Sequence, residues 1–283
     1  MGHLKQQVHV VQLDIAWENP AANHARVAEM LQRAPVNPGD LIVLPEMFAT
    51  GFSLRTHKTI DHDGATLAFL RQISQQYRVL VQGGRTIAGT GTDRRARNVM
   101  SALVYRDEGE AGLWAEYAKI HPFQREAEVI QPGAEVMVYQ WRTCSRREVS
   151  VCPAICFDLR FPELFREGLA KGAEVFALGA CWPSVRRSHW RALVLARAIE
   201  NQAFFIACNR VGNDPGPPEA EGLNYAGGSI VVSPRGEVLG ELGDVEAVLS
   251  VPINIDDLDE WRKTFTAWKV ARRWHQGTPE AQA

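Results

Sequence analysis

The sequence predicts an α/β fold built on more than one sheet, and three observations carry that expectation. Segments of strand and helix period alternate along nearly the whole 283-residue chain. Several strand segments are apolar without alternation, as in Leu41-Ile42-Val43-Leu44, which suits a sheet covered on both faces. Strand segments also outnumber long helical ones, which hints at two sheets rather than one.

Taken in order, residues 8–13 read as a strand. Residues 20–32 read as an amphipathic helix, with Ala25, Ala28, Met30 and Leu31 apolar. Residues 40–46 form a short apolar strand that ends in a carboxylate, Glu46. Residues 65–77 are helical, with Leu67, Leu70 and Ile73 at helical spacing. Residues 79–87 and 99–105 read as strands joined by a Gly- and Arg-rich turn. Residues 149–155 are an apolar, β-branched strand that runs into Cys156. After it, Pro162 suits a first helical turn, where its missing N–H costs nothing, and Leu164, Phe165 and Leu169 share a side. Residues 174–180 and 204–208 are strands flanking a long helix from about 188 to 201. Residues 212–222, rich in Pro, Gly and acids, read as a loop. Pro234-Arg235-Gly236-Glu237 marks a hairpin between 229–233 and 238–242, and 245–251 is a further strand. No repeat or linker divides the chain, so a single domain over 1–283 is expected, with a tail from about 254 to 283.

Composition narrows the function classes. A net charge of −2 argues against a role on nucleic acid or a membrane surface carried by bulk charge. No signal-peptide core or run of membrane-span length is present. The five cysteines, Cys144, Cys152, Cys156, Cys181 and Cys208, are odd in number and scattered, which suits free thiols in a reducing compartment. A cytoplasmic enzyme is the expectation.

Three reactive side chains stand at strand ends. Glu46 follows a buried strand, where an unpaired carboxylate is costly. Lys119 lies in Tyr117-Ala118-Lys119-Ile120-His121-Pro122-Phe123, and Cys156 at the corner after its strand. Singly, each is as well explained as a solvated edge residue or a core thiol. Together they complete an acyl-transfer set: an ammonium lowers the pKa of a thiol, and a glutamate close to both carries the proton.

The motifs Leu44-Pro45-Glu46-Met47-Phe48, Lys119-Ile120-His121-Pro122-Phe123 and Cys156-Phe157-Asp158-Leu159-Arg160-Phe161-Pro162-Glu163 resemble, in order, those of the nitrilase superfamily of carbon–nitrogen hydrolases. The resemblance extends from about residue 8 to 268. It implies a four-layer α-β-β-α sandwich and a triad of Glu46, Lys119 and Cys156. It implies an oxyanion site made by Lys119 with the Phe157 backbone N–H, a cofactor- and metal-free reaction, and a dimer or higher homo-oligomer. A second glutamate is implied downstream of the lysine; Glu128 is favoured from the turn at Pro132-Gly133, with Glu126 the alternative. Phe157 and Asp158 after the nucleophile point to the amidase side of the superfamily. Cys181-Trp182-Pro183 resembles an Asn-Trp-Pro of omega-amidase-like members with Cys181 replacing Asn, and it makes Trp182 a substrate-binding candidate. The expected reaction is hydrolysis of a linear carboxamide, short aliphatic or omega, to acid and ammonia through a cysteine thioester. N-carbamoyl amidohydrolase and nitrilase remain alternatives. Arg186 and Arg187, just after Trp182-Pro183, are candidates to bind a substrate carboxylate, with a solvated turn the alternative.

Other readings leave these motifs unexplained. A Cys–His pair would use His121 or His189 as base. Zinc lacks a second Cys or His pair at structural spacing. The remaining cysteines read as core or loop thiols, and Asp158, Arg160 and Glu163 as braces of the corner. The basic and aromatic segment 261–274 could bind nucleic acid or a partner, or pack on the body as a tail.

Overall fold

Two twisted sheets lie face to face, each covered on its outer side by helices. The computed structural model describes residues 6–106, 111–215 and 222–270. Along the chain run β1 (Gln6–Gln12), β2 (Leu41–Val43), β3 (Leu80–Ile87), β4 (Arg97–Tyr105) and β5 (Ala111–Ala118). Then come β6 (Tyr139–Arg142), β7 (Glu148–Ile155), β8 (Val175–Ala180) and β9 (Phe204–Asn209). A small hairpin of β10 (Val211–Asn213) and β11 (Asn224–Ala226) precedes β12 (Ile230–Val232), β13 (Val238–Glu241) and β14 (Ala247–Ile253). The helices are α1 (Pro20–Gln32), α2 (Thr56–Thr59), α3 (Ala65–Tyr77), α4 (Glu126–Val129), α5 (Pro162–Ala170), α6 (Arg187–Asn201) and α7 (Ile255–Thr264).

The first sheet has the order β14-β1-β2-β3-β4-β5 and the second β13-β12-β9-β8-β7-β6. Each has a parallel centre, β1-β2-β3 in one and β7-β8-β9 in the other, with antiparallel strands outside. Strand period sorts the side chains into layers. Val8 and Val10 of β1 join Leu41, Val43, Trp141, Val151, Val175 and Ile206 between the sheets. Val11, Ile42 and Val81 face the other way, onto Val27 and Leu31 of α1 and Leu70 and Ile73 of α3. Cys152, Phe176 and Phe205 face outward from the second sheet onto Phe165 of α5 and Trp190 and Val194 of α6. A fully buried Val, Leu or Phe contributes about 1.5–3 kcal/mol, so these layers dominate stability. This is the four-layer sandwich that the resemblance implied. A polar stitch crosses the middle: Gln82 donates to Ala177 O at 3.0 Å and accepts from Tyr139 OH at 2.6 Å.

The structure adds what the residue pattern did not assign. β5 and β6 are edge strands, and half-exposed edges carry a weak apolar signal. The corner after β7 is a 3₁₀ turn, Cys156–Arg160, with α5 starting only at Pro162. The loop expected at 212–222 begins in β10; residues 216–221 lie outside the described residues.

At the C-terminal side, α7 buries Ile255 and Leu258 against the core. Arg262 donates to the backbone carbonyls of Gln202 and Ala173, and its guanidinium lies 5.2 Å from the Trp268 ring centre. Much of the basic and aromatic segment is thus spent on the body of the protein; Arg272, Arg273 and Trp274 lie outside the described residues.

Candidate active site

The C-terminal ends of β2, β5, β7 and β8 converge at one end of the sandwich, the place where α/β sheets present ligand-binding loops. Glu46 arrives two residues after Leu44, whose amide still bonds Gln82 O. Two glycines let that backbone pass. A Cβ on Gly84 would stand 2.6 Å from Met47 N, and one on Gly179 would stand 2.7 Å from Leu44 O. Lys119 follows β5, and its backbone N–H donates to Asn98 O at 2.9 Å. Cys156 follows β7 with φ of 42°, a left-handed conformation that is strained for a side chain of this type. Such strain at a sharp turn is the way a nucleophile is held clear of its own strand.

Asp158 holds that turn. Its carboxylate accepts from Ile155 N (3.0 Å), Tyr117 OH (2.7 Å) and His121 N (3.0 Å), joining the Cys156 turn to the Lys119 segment. His121 also contacts Asp158 through Nδ1 and stacks on Phe161, while His189 lies against Arg160. Both histidines that a Cys–His pair would require are therefore engaged with groups other than the thiol.

Around Lys119 the side chains form a closed polar cluster. Its Nζ donates to Glu46 Oε1 and to Glu126 Oε2, both at 2.7 Å. Asn98 Nδ2 donates to Oε1 of both carboxylates, at 2.8 and 3.0 Å. Glu46 Oε2 accepts from Cys181 N at 3.0 Å. Glu46 and Lys119 are wholly buried. Burial pulls the Lys119 ammonium down, but Glu126 and Glu46 more than reverse it and hold its pKa well above the usual range. Burial raises the Glu46 carboxyl, opposed by Lys119 and supported by Glu126. Burial and then Glu46 also push the Cys156 thiol up, with Lys119 opposing. Burial thus favours the neutral form of the Cys156 thiol, and Glu46 acts on it in the same direction.

The glutamate beside Lys119 is Glu126, and this corrects the preference for Glu128. α4 is a single turn, so side chains two apart point to different sides. Glu126 turns inward and also accepts from Phe123 N at 2.7 Å. Glu128 is 65% exposed and lies 3.7 Å from Arg125. Asn98 was missed altogether; its signal is an amide opening the apolar run of β4, Val99-Met100-Ser101-Ala102-Leu103. Cys181 does more than the residue pattern assigned it. It is buried in the core as expected, but it also lines the cleft and bonds Glu46 through its backbone N–H.

The cleft above Cys156 is walled by Phe52, Phe123, Phe157, Cys181, Trp182 and Pro183, with the guanidinium-bearing Arg160 and Arg186 among its lining residues. Trp182 is fixed by its indole N–H to Arg186 O (2.8 Å) and its backbone N–H to Asn209 Oδ1 (2.8 Å). Arg160 lies 4.8 Å from the Trp182 ring centre and Arg186 5.5 Å from that of Phe123. Arg187 is not among the residues lining this cleft and instead lines a separate pocket with Trp182, Ser184, Trp190 and Asn209. Glu163 is exposed in the first turn of α5. The Phe157 amide is at the N-terminal end of the 3₁₀ turn, where the turn's own hydrogen bonds leave N–H groups unused. Among the described residues, no three His, Cys, Asp or Glu side chains converge to hold a metal.

Comparison with known proteins identifies the family. Residues 7–263 match the family model described as carbon-nitrogen hydrolase. The chain is 30% identical to 2-oxoglutaramate amidase of Bacillus subtilis, over 95% of this chain and 99% of that protein. It is 28% identical to Omega-amidase YafV of Escherichia coli K12, over 94% and 96% of the two chains. Among solved structures, a CN-hydrolase superfamily protein of Xanthomonas campestris with an arsenic adduct in its active site superposes with a TM-score of 0.82. That protein is 28% identical, with 97% of this chain and 100% of the other covered. The chain belongs to the carbon–nitrogen hydrolase family, on the amidase side of the nitrilase superfamily.

Proposed function

We propose that this hydrolase of linear amides is an omega-amidase, acting on the terminal carboxamide of a dicarboxylic acid monoamide. Cys156 is the nucleophile in this reading, and Glu46 takes its proton as the sulfur attacks the amide carbon. The Lys119 ammonium and the Phe157 N–H receive the oxyanion. Glu46 passes the proton to the departing ammonia, then activates the water that cleaves the thioester. Glu126, with Asn98, holds Lys119 in place against Glu46. The observation that carries the substrate class is the presence of Arg160 and Arg186 in the same cleft as Cys156. A guanidinium suits the free carboxylate of such a substrate. Relatives named 2-oxoglutaramate amidase and omega-amidase support the same class.

A second reading rests on the aromatic walls. Phe52, Phe123, Phe157 and Trp182 also suit a short aliphatic amide. Ammonia release from propionamide, a dicarboxylic monoamide, a carbamoylated amine and a nitrile separates the readings. Preference for the monoamide supports the first, and preference for propionamide the second. Preference for the carbamoylated amine or the nitrile contradicts both.

We further read the chain as one catalytic domain with a C-terminal tail, acting in the cytoplasm as a homodimer. Free cysteines support a reducing compartment, and exposed Phe265 and Val270 offer apolar surface for a second copy. No helix of the described residues is long and apolar enough to cross a membrane. Light scattering at a mass of two chains is the expected result; a monomer contradicts the dimer.

A further inference from the structure

The cleft contains two thiols, and the reaction proposed above uses only one. Cys156 and Cys181 both line it. They stand just past the ends of neighbouring parallel strands, with Ile155 of β7 in register with Gly179 of β8. Cys156 therefore falls level with Ala180, and Cys181 lies one residue further on. Neighbouring strands lie about 4.8 Å apart, so the two cysteines leave the sheet side by side. Disulfides span Cα separations of about 4.4–6.8 Å. Cys181 is also not inert packing: its thiol donates to Glu46 O at 3.2 Å and its N–H to Glu46 Oε2.

We propose that Cys156 and Cys181 are a modification site at which peroxide closes a reversible disulfide across the active cleft. The proposal rests on the reading of Cys156 as the nucleophile. Glu46 takes the Cys156 proton, and the sulfur attacks a peroxide oxygen. A sulfur–oxygen bond forms, the oxygen–oxygen bond breaks, and the hydroxide released takes the proton from Glu46. Cys181 sulfur then attacks the Cys156 sulfenic sulfur. The sulfur–sulfur bond forms, the sulfur–oxygen bond breaks, and water leaves with the Cys181 proton. Two thiols are oxidised and one hydrogen peroxide is reduced to two waters. A dithiol reductant reverses the change. Cys181 in this role spares Cys156 from irreversible oxidation to sulfinic or sulfonic acid. Cys144 is the exposed free thiol, so its replacement prevents links between molecules from obscuring the result.

The test is peptide mapping of the full chain carrying Cys144→Ser, after hydrogen peroxide, removal of peroxide and alkylation. The expected map shows a peptide pair linking Cys156 to Cys181. Ammonia release is lost with peroxide and recovered with dithiothreitol. With Cys181→Ala added, the linked pair is absent, Cys156 accumulates as sulfinic or sulfonic acid, and recovery is lost. Each variant is compared with its own untreated rate, and Cys181→Ser serves if the alanine variant does not fold. Over-oxidised Cys156 without the linked pair in the Cys181-containing protein overturns the proposal. Equal recovery with and without Cys181 does the same. The map needs no substrate and the untreated rate needs no peroxide, so failure here is distinguishable from failure of the amidase reading.

Discussion

Lys119 Nζ stands 2.7 Å from Glu46 Oε1, with neither side chain exposed to solvent. A buried ammonium survives there because Glu126 takes a second of its hydrogens and Asn98 bridges both carboxylates. Removing one partner of such a cluster strands charge of the other sign. Lys119→Met is expected to abolish ammonia release and to cost about 3–5 kcal/mol in stability, because two carboxylates then remain buried without their cation. Denaturant unfolding measures the second effect. A variant as stable as the parent contradicts the account of the cluster.

Glu126 and Glu128 are separated by one residue and by opposite surroundings. Glu126→Gln keeps the shape but weakens the hold on Lys119, so kcat falls about 10²–10³-fold, the range seen when an oxyanion donor is lost. Glu128→Gln is expected to leave rate and stability within about 0.5 kcal/mol, as for an ordinary surface site. Steady-state kinetics on both variants checks this, and the reverse ranking overturns the placement.

This pair also shows what sequence could reach. The strand–helix alternation and the motifs around Glu46, Lys119 and Cys156 were legible because each is local. The choice between Glu126 and Glu128 was not, since it depends on which face of a one-turn helix meets Lys119. Asn98 went unseen for a similar reason: its partners lie 52 and 28 residues away. Arg160 read as a brace because nothing in its own segment reveals the cleft that Trp182 and Arg186 complete. Cys181 was legible as core, but its bond to Glu46 was not, because Glu46 is 135 residues distant.

The pH dependence follows from the sign of the Glu46 shift. Burial raises its carboxyl, so the proton-accepting form is lost at a higher pH than for free glutamate. As pH falls through that raised value, the base is protonated and kcat/KM declines. The acid limb is expected above about 4.3, the ordinary glutamate value. It belongs to the coupled cluster rather than to Glu46 alone. A limb at or below that value contradicts the assignment.

Arg160 and Arg186 separate substrates rather than chemistry. A charge-assisted hydrogen bond contributes about 1.5–3 kcal/mol, or roughly 10–100-fold. Arg186→Ala is expected to lower kcat/KM by that order for a dicarboxylic monoamide and to leave propionamide hydrolysis nearly unchanged. Arg160→Ala should act in the same direction, with some added loss because its guanidinium packs on Trp182. Equal losses on both substrates would remove the carboxylate role.

The central claim is that Cys156 carries the acyl group, and ammonia release by Cys156→Ala on a dicarboxylic monoamide tests it most directly. The side chain is small and largely buried, so the variant should keep the parent's circular dichroism and unfolding midpoint. The predicted result is a folded protein with no turnover above the uncatalysed rate. A folded Cys156→Ala protein that still releases ammonia at the parent's rate contradicts the account.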